Sequence, residues 1–249
     1  LTEPHRTQIF EPSKPQQGPV ARMLLQWLMR PARIAAVETL SPRFRSITLE
    51  GDALKGVAWT MGQKIQVAMG SGLSARTYTP MSWDAEKGRT RLLAFTHGNG
   101  PGSRWASGLQ EGDLSWFFGP RRSLDLSAAK APTVLFGDET SFGIASALHT
   151  SRQANGATYV FEASDAAEAN PVLAAIGLGG TSLIIRSAED AHLAAVEAEM
   201  LRSAASAHFV LTGKAPSIQR LSRALKAAGV ATSRIRTKAY WAPGKSGLD

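Results

Sequence analysis

The stretch Ala75-Arg76-Thr77-Tyr78-Thr79-Pro80 decides how this chain is read. On an extended strand, side chains two residues apart share a face, so Arg76 and Tyr78 point the same way. Thr79 begins the turn that Pro80 continues. A guanidinium and a phenol on one face, with a hydroxyl beside them, suit a ligand that carries a phosphate and a flat ring. The guanidinium pairs with phosphate, the phenol covers the ring, and the hydroxyl or a backbone N–H reaches a polar edge. A flavin nucleotide has that shape. The same six residues also suit an ordinary strand end with a surface Arg and a half-buried Tyr. The flanking sequence has to weigh the two.

Around the hexapeptide, six short apolar-alternating runs occupy 34–39, 44–50, 64–69, 75–79, 91–96 and 114–118. Gly51-Asp52, Gly70-Ser71-Gly72, Lys87-Gly88 and Glu111-Gly112-Asp113 separate them. Short strands with this punctuation predict a six-stranded antiparallel barrel over 31–127. One helix interrupts it: Gly98-Asn99-Gly100 leads into Pro101, followed by Trp105-Ala106 and Leu109. Gly100-Pro101-Gly102-Ser103 places small residues and a hydroxyl where a helix presents unpaired N–H groups, which attract a pyrophosphate. An ordinary glycine-rich turn capped by Ser103 is the other reading.

Beyond residue 131 the period changes. Strands at 133–136, 157–162, 182–185, 208–211 and 234–240 alternate with helices at 141–149, within 165–180, and at 191–201 and 217–228. That alternation predicts a parallel sheet with helices on both faces over 131–249, joined to the barrel near 127–131. The first strand-to-helix turn is Gly137-Asp138-Glu139-Thr140-Ser141-Phe142-Gly143. Ligands of such sheets collect at the carboxyl ends of the strands, so a nucleotide site is expected there. The turn lacks the G-x-G-x-x-G pattern, and two carboxylates repel a pyrophosphate. Either one carboxylate caps the helix, or the Thr140 and Ser141 hydroxyls hold a nucleotide with backbone N–H groups.

With 249 residues, 43% hydrophobic and 19% charged, the chain has the composition of a globular protein of one large or two ordinary domains. It has no cysteine, which excludes disulfides, thiolate metal sites and a cysteine nucleophile. No apolar run approaches the ~20 residues of a membrane span, and 23–29 is too short. Residues 1–30, proline-rich at first, read as a leader with a short helix at its end. A cytoplasmic protein is expected. The net charge of +8 is scattered, which points to an anionic small molecule and away from nucleic acid. His5, His149, His192 and His208 are dispersed, so no protein-ligated metal is expected. Trp59, Trp83 and Trp116 are expected to pack in or around the barrel. Glu162, ending the second parallel strand, is either solvated or a ribose ligand that favours NADH.

Together these segments resemble the siderophore-interacting, FAD-binding branch of the ferredoxin-reductase superfamily. The resemblance covers roughly 31–249. It rests on Arg76-Thr77-Tyr78-Thr79, on His97-Gly98-Asn99-Gly100-Pro101 with Trp105-Ala106, on Gly112-Asp113 through Gly119-Pro120-Arg121, on Gly137-Asp138-Glu139-Thr140, and on Tyr240-Trp241 followed by Gly244. It implies a flavin barrel followed by a nucleotide-binding α/β domain.

By that resemblance, Arg76, Thr77, Tyr78 and Thr79 hold FAD, with Tyr78 and Thr79 nearest the chemistry. His97, Gly98, Gly100, Pro101, Gly102 and Ser103 surround the diphosphate and adenosine. Asp138, Glu139 and Thr140 border the approach of a nicotinamide, and Tyr240 and Trp241 lie near the flavin or the cleft. The implied reaction is reduction of a ferric siderophore or similar chelate, with electrons from NADH, NADPH or a ferredoxin-type protein. A flavin- or nucleotide-binding module without catalysis is the alternative. Lys214, Arg236 and Lys238 are expected to form a basic rim for an anionic chelate. Two residues depart from the family pattern: Met81 replaces a second Arg, and Lys214 follows Gly213 where the family has Glu.

Overall fold

The computed structural model describes residues 28–69, 74–126, 132–151 and 156–245. The expected leader and the 127–131 junction lie largely outside them. The first sheet has seven antiparallel strands: β1 Arg30–Ser41, β2 Phe44–Glu50, β3 Lys64–Ala68, β4 Ala75–Tyr78, β5 Ser82–Asp84, β6 Arg89–Phe95 and β7 Leu114–Arg121. Their order is β4-β3-β7-β1-β2-β6-β5. Strand β5 is the addition to the predicted six. It has three residues, too short for an alternating pattern to register. Elsewhere the alternation holds: in β6, Thr90, Leu92 and Ala94 face inward while Arg89 and Arg91 face out. Ile34, Ile47, Ile65, Val67, Leu92 and Phe117 form the interior. Trp83 joins it edge-on to Phe117, and its Nε1 donates to Leu54 O at 3.2 Å. Trp116 corrects the expectation. It alternates outward and is 43% exposed.

Between β6 and β7 runs helix α1, Pro101–Gly108. The second sheet consists of β8 Thr133–Gly137, β9 Ala157–Ala163, β10 Ser182–Ile185, β11 His208–Lys214 and β12 Ile235–Trp241, all parallel in the order β10-β9-β8-β11-β12. Helices α2 Phe142–His149, α3 Ala166–Ala175, α4 Leu193–Leu201 and α5 Ala215–Ala227 connect these strands. Strand β8 is buried along its whole length because helices cover both faces of the sheet. Asp165 starts α3 by accepting from Ala167 N at 2.7 Å. No helix among the described residues is long and apolar enough to cross a membrane.

The two sheets share one apolar core. Phe44, Met61 and Met81 of the first unit meet Leu135, Phe142, Ile144 and Phe161 of the second. Phe44 and Phe142 stack at 5.6 Å. At Gly143 a Cβ would lie 3.3 Å from Thr79 O and 3.7 Å from Met81 Cγ, so the start of α2 comes close to the end of β4 and a side chain here would make a tight contact. Arg43 reaches across the same boundary to Glu168 at 2.5 Å and to Ser164 Oγ at 3.0 Å.

Candidate functional site

Strand β4 and helix α1 build the first half of the site. Arg76 and Tyr78 point to one side, as the alternation predicts, and both meet Gly102 in the first turn of α1. A Cβ on Gly102 would lie 3.1 Å from Arg76 Cγ and 3.7 Å from the Tyr78 hydroxyl oxygen. The glycine therefore lets the Arg76 side-chain stem and the Tyr78 phenol pack directly against the helix start. Gly100 precedes the helix without a side-chain cap, and Pro101 occupies the first turn, so the other leading N–H groups stay available to an anion. Arg76 Nη1 donates to Ala75 O at 2.8 Å and to Ser74 Oγ at 3.4 Å. The Tyr78 ring rests against Trp105 at 5.6 Å. Burial pushes the Tyr78 phenol above its ordinary range, and the nearby Arg76 charge opposes that rise.

Of the other expected residues here, Ser103 Oγ donates to His97 O at 2.9 Å and so fixes the loop ahead of α1. His97 lies against Phe95 at 5.5 Å and is exposed, like Gly98 and Gly100. Thr77 pairs with Gln66 in the ladder, between two residues whose side chains share the opposite face. Thr79 and Tyr240 share a side-chain hydrogen bond, which ties the end of β4 to the last strand of the second sheet. Burial pushes the Tyr240 phenol up to about 12, against the pull of that bond.

The second half lies at the carboxyl ends of the parallel strands. Asp138, fully buried, accepts from Thr140 N at 2.9 Å, Thr140 Oγ1 at 2.5 Å and Trp241 Nε1 at 2.6 Å. The capping reading of this turn therefore describes Asp138. Glu139 does something else. It accepts from Ser164 N at 2.7 Å, Ser164 Oγ at 2.8 Å and Arg186 Nη2 at 2.6 and 2.7 Å. Although burial raises its carboxyl, the Arg186 and Ser164 contacts together hold it below the usual value.

Glu162 is neither solvated nor open to a ribose. It is fully buried and accepts from Ser217 Oγ at 3.0 Å, with His192 Nε2 at 2.8 Å. No local pattern in the sequence marks Ser164, Arg186, His192 or Ser217, because the parallel order brings them together from the connection after β9, the connection after β10 and the first turn of α5. The three residues expected to form a basic rim differ in their surroundings. Lys214 Nζ pairs with both Asp190 oxygens, at 2.7 and 2.9 Å, and its side chain is 12% exposed. Arg236 is exposed and donates to Asp125 O at 2.8 Å, and Lys238 lies two residues along the same strand.

Burial pushes the Asp138 carboxyl up to about 6, while hydrogen bonds from Thr140 and Trp241 oppose the rise. The folded state therefore holds a proton that the unfolded state loses near its ordinary value of 3.8. The resulting stabilisation is complete below that value and disappears as pH rises through about 6. Roughly 3 kcal/mol is at stake. Glu139 acts in the opposite sense, adding stability above its ordinary value of 4.5. Asp138→Asn should remove the decline between pH 4.5 and 7. Urea unfolding at both pH values checks this, and equal pH slopes in both proteins would exclude Asp138 as the cause.

Two family models match the chain. The siderophore-interacting FAD-binding domain covers residues 70–124, and the siderophore-interacting protein model covers residues 131–244. No curated protein matches it. Among solved structures, a siderophore utilization protein from T. fusca shares 23% identity over 89% of this chain and 95% of that one, with a TM-score of 0.68. The siderophore-interacting protein SipS from Aeromonas hydrophila shares 19% identity over 88% and 93%, with a TM-score of 0.70. The FAD/NAD-binding domain of a nitric oxide dioxygenase from Vibrio cholerae shares 19% over 86% and 99%, with a TM-score of 0.68. At these identities the structural likeness establishes the fold.

Proposed function

Since the chain belongs to the siderophore-interacting FAD-binding family, we propose that it is a flavin-dependent oxidoreductase that reduces Fe(III) held in a siderophore or similar chelate. The observation that carries this reading is that Arg76 and Tyr78 pack side by side against Gly102 at the uncapped start of α1. It fits FAD. Arg76 and the leading N–H groups of α1 would hold the diphosphate, and Tyr78 would offer a ring face braced by Trp105. When bound, FAD takes up electrons in pairs and gives them up singly, which no side chain of this chain does.

The protein's own part is to position and to exclude. Thr79 and Tyr240 join the end of β4 to the last strand of the second sheet, and would help to position a flavin held by Arg76 and Tyr78. Each chelated Fe(III) takes one electron and leaves as Fe(II), so a pair of electrons serves two chelates. Among the described residues none form a group that would hold a bare metal ion, and the iron is read as arriving chelated. The net charge of +8 favours anionic chelates, with the exposed Arg236 contributing positive charge on β12. Lys214 is neutralised by Asp190 and is not part of that attraction.

Photoreduced, FAD-loaded protein mixed anaerobically with an anionic tris-catecholate and a neutral trihydroxamate of Fe(III) tests the reading. Flavin reoxidation with release of Fe(II) is expected, faster for the anionic chelate and slowed by salt. Flavin that stays reduced with both chelates would leave only the binding module. Arg76→Ala should weaken FAD binding by about 1.5–3 kcal/mol, the value of a charge-assisted pair. Unchanged affinity in a flavin-fluorescence titration would remove Arg76 from the site.

A further inference from the structure

The carboxyl edge of the parallel sheet is where a nicotinamide dinucleotide would be expected. The strand order reverses between β8 and β11, and open α/β sheets bind nucleotides in the crevice at that point. Here the two loops that should border the crevice touch. Gly213 has φ +100, and a Cβ on it would sit 2.5 Å from Asp138 Cγ. The Asp138 carboxyl thus lies directly against the β11 backbone, and Trp241 covers it through the 2.6 Å bond from Nε1.

Most neighbouring donors are turned inward in the same way, with Ser141 Oγ and Arg186 Nη1 buried without a hydrogen-bond partner. The donors that would suit a phosphate, Ser164 N–H, Ser164 O–H and the Arg186 guanidinium, converge on the carboxylate of Glu139. The acid expected to take a ribose, Glu162, is enclosed by His192 and Ser217. Lys214 spans from the end of β11 to Asp190, in the loop that follows β10. That loop carries Glu189 and Asp190 at φ 55 and 57. Lys214 pins the Asp190 side chain, and Arg220 donates to its carbonyl at 3.2 Å.

We infer that this edge is closed by the chain's own side chains and does not receive NADH or NADPH, so that the flavin is reduced by an electron-carrier protein. The inference rests on the flavin reading above. A one-electron carrier needs no pocket in the sheet. Two reduced carriers each lose one electron, FAD gains both, and its protons come from solvent. The net charge of +8 suits an acidic carrier.

The test uses the full chain with and without FAD. Isothermal titration with NADH and with NADPH should show no saturable binding to either form. In anaerobic mixing, neither dinucleotide should bleach the flavin, whereas dithionite and a reduced acidic [2Fe–2S] ferredoxin should. The variant Trp241→Gly with Asp190→Asn should gain dinucleotide binding, since the first substitution uncovers Asp138 and the second weakens the tie to Lys214. Saturable binding of either dinucleotide to the wild type, or bleaching by it, overturns the inference. Bleaching by dithionite but not by ferredoxin overturns the carrier. Failure of FAD to bind at all would sink the flavin reading instead, and the titrations on flavin-free protein would still decide whether the edge is closed.

Discussion

Replacing Arg186 with alanine is expected to cost about 3–5 kcal/mol of stability at neutral pH, the range for removing one partner of a buried ion pair. Arg186 makes two hydrogen bonds to Glu139 and stands 4.0 Å from Glu162. Those carboxyls are 4% and 0% exposed, and without the guanidinium two negative charges share a dry site with no cation between them. Glu139→Gln in the same chain should restore part of the loss, because it removes one orphaned charge and still accepts from Ser164. Since Arg186 helps hold the Glu139 carboxyl low, the gap between wild type and Arg186→Ala should narrow as pH falls below about 4.5. Urea unfolding of the three proteins at pH 7 and pH 4 measures both effects. A loss under about 1 kcal/mol would place Arg186 with ordinary surface pairs.

Phe142→Ala is expected to cost a similar amount, about 3–5 kcal/mol, as large aromatic truncations in cores do. Phe142 is fully buried. It stacks on Phe44 at 5.6 Å and meets Phe161 edge-on at 4.9 Å. The cavity would open between the two sheets, where backbones already approach at Gly143 and neither unit can collapse to fill it. Phe142→Leu should recover most of the loss by keeping the volume. Denaturant unfolding followed by fluorescence and by far-UV dichroism reads the effect. A variant within about 1 kcal/mol of wild type would show that the shared core is not what joins the sheets.

Most of the fold was readable because its signals are local. Alternation in β2 and β6, the Pro101 helix start, and the apolar runs of β8 to β11 each fit within a dozen residues. Elements that escaped lack such a signal: β5 is three residues long, and Trp116 follows the outward phase of its strand. The Arg76–Tyr78 face was legible for the same reason, since two residues on one strand carry it. The sheet edge was not. Glu162 looked solvated because its partners come from residues 192 and 217. Lys214 looked like a free cation until the loop after β10 brought Asp190 to it. Sequence spacing carries no trace of contacts made across a parallel sheet.

The close contact at Gly143 bears on how this protein can be altered. The start of α2 and the end of β4 fit so closely that a methyl group on Gly143 would press on Thr79 O, and Met81, 3% exposed, lies beside them. An arginine at position 81, the residue of the family pattern, would bring its charge into that apolar wall. The halves are therefore matched parts and not interchangeable modules. A chimera that joins this barrel to another relative's sheet has to carry over Thr79, Met81, Phe142 and Gly143 as a set. Drift at any one of them is constrained by the other three, although they lie sixty residues apart in the chain.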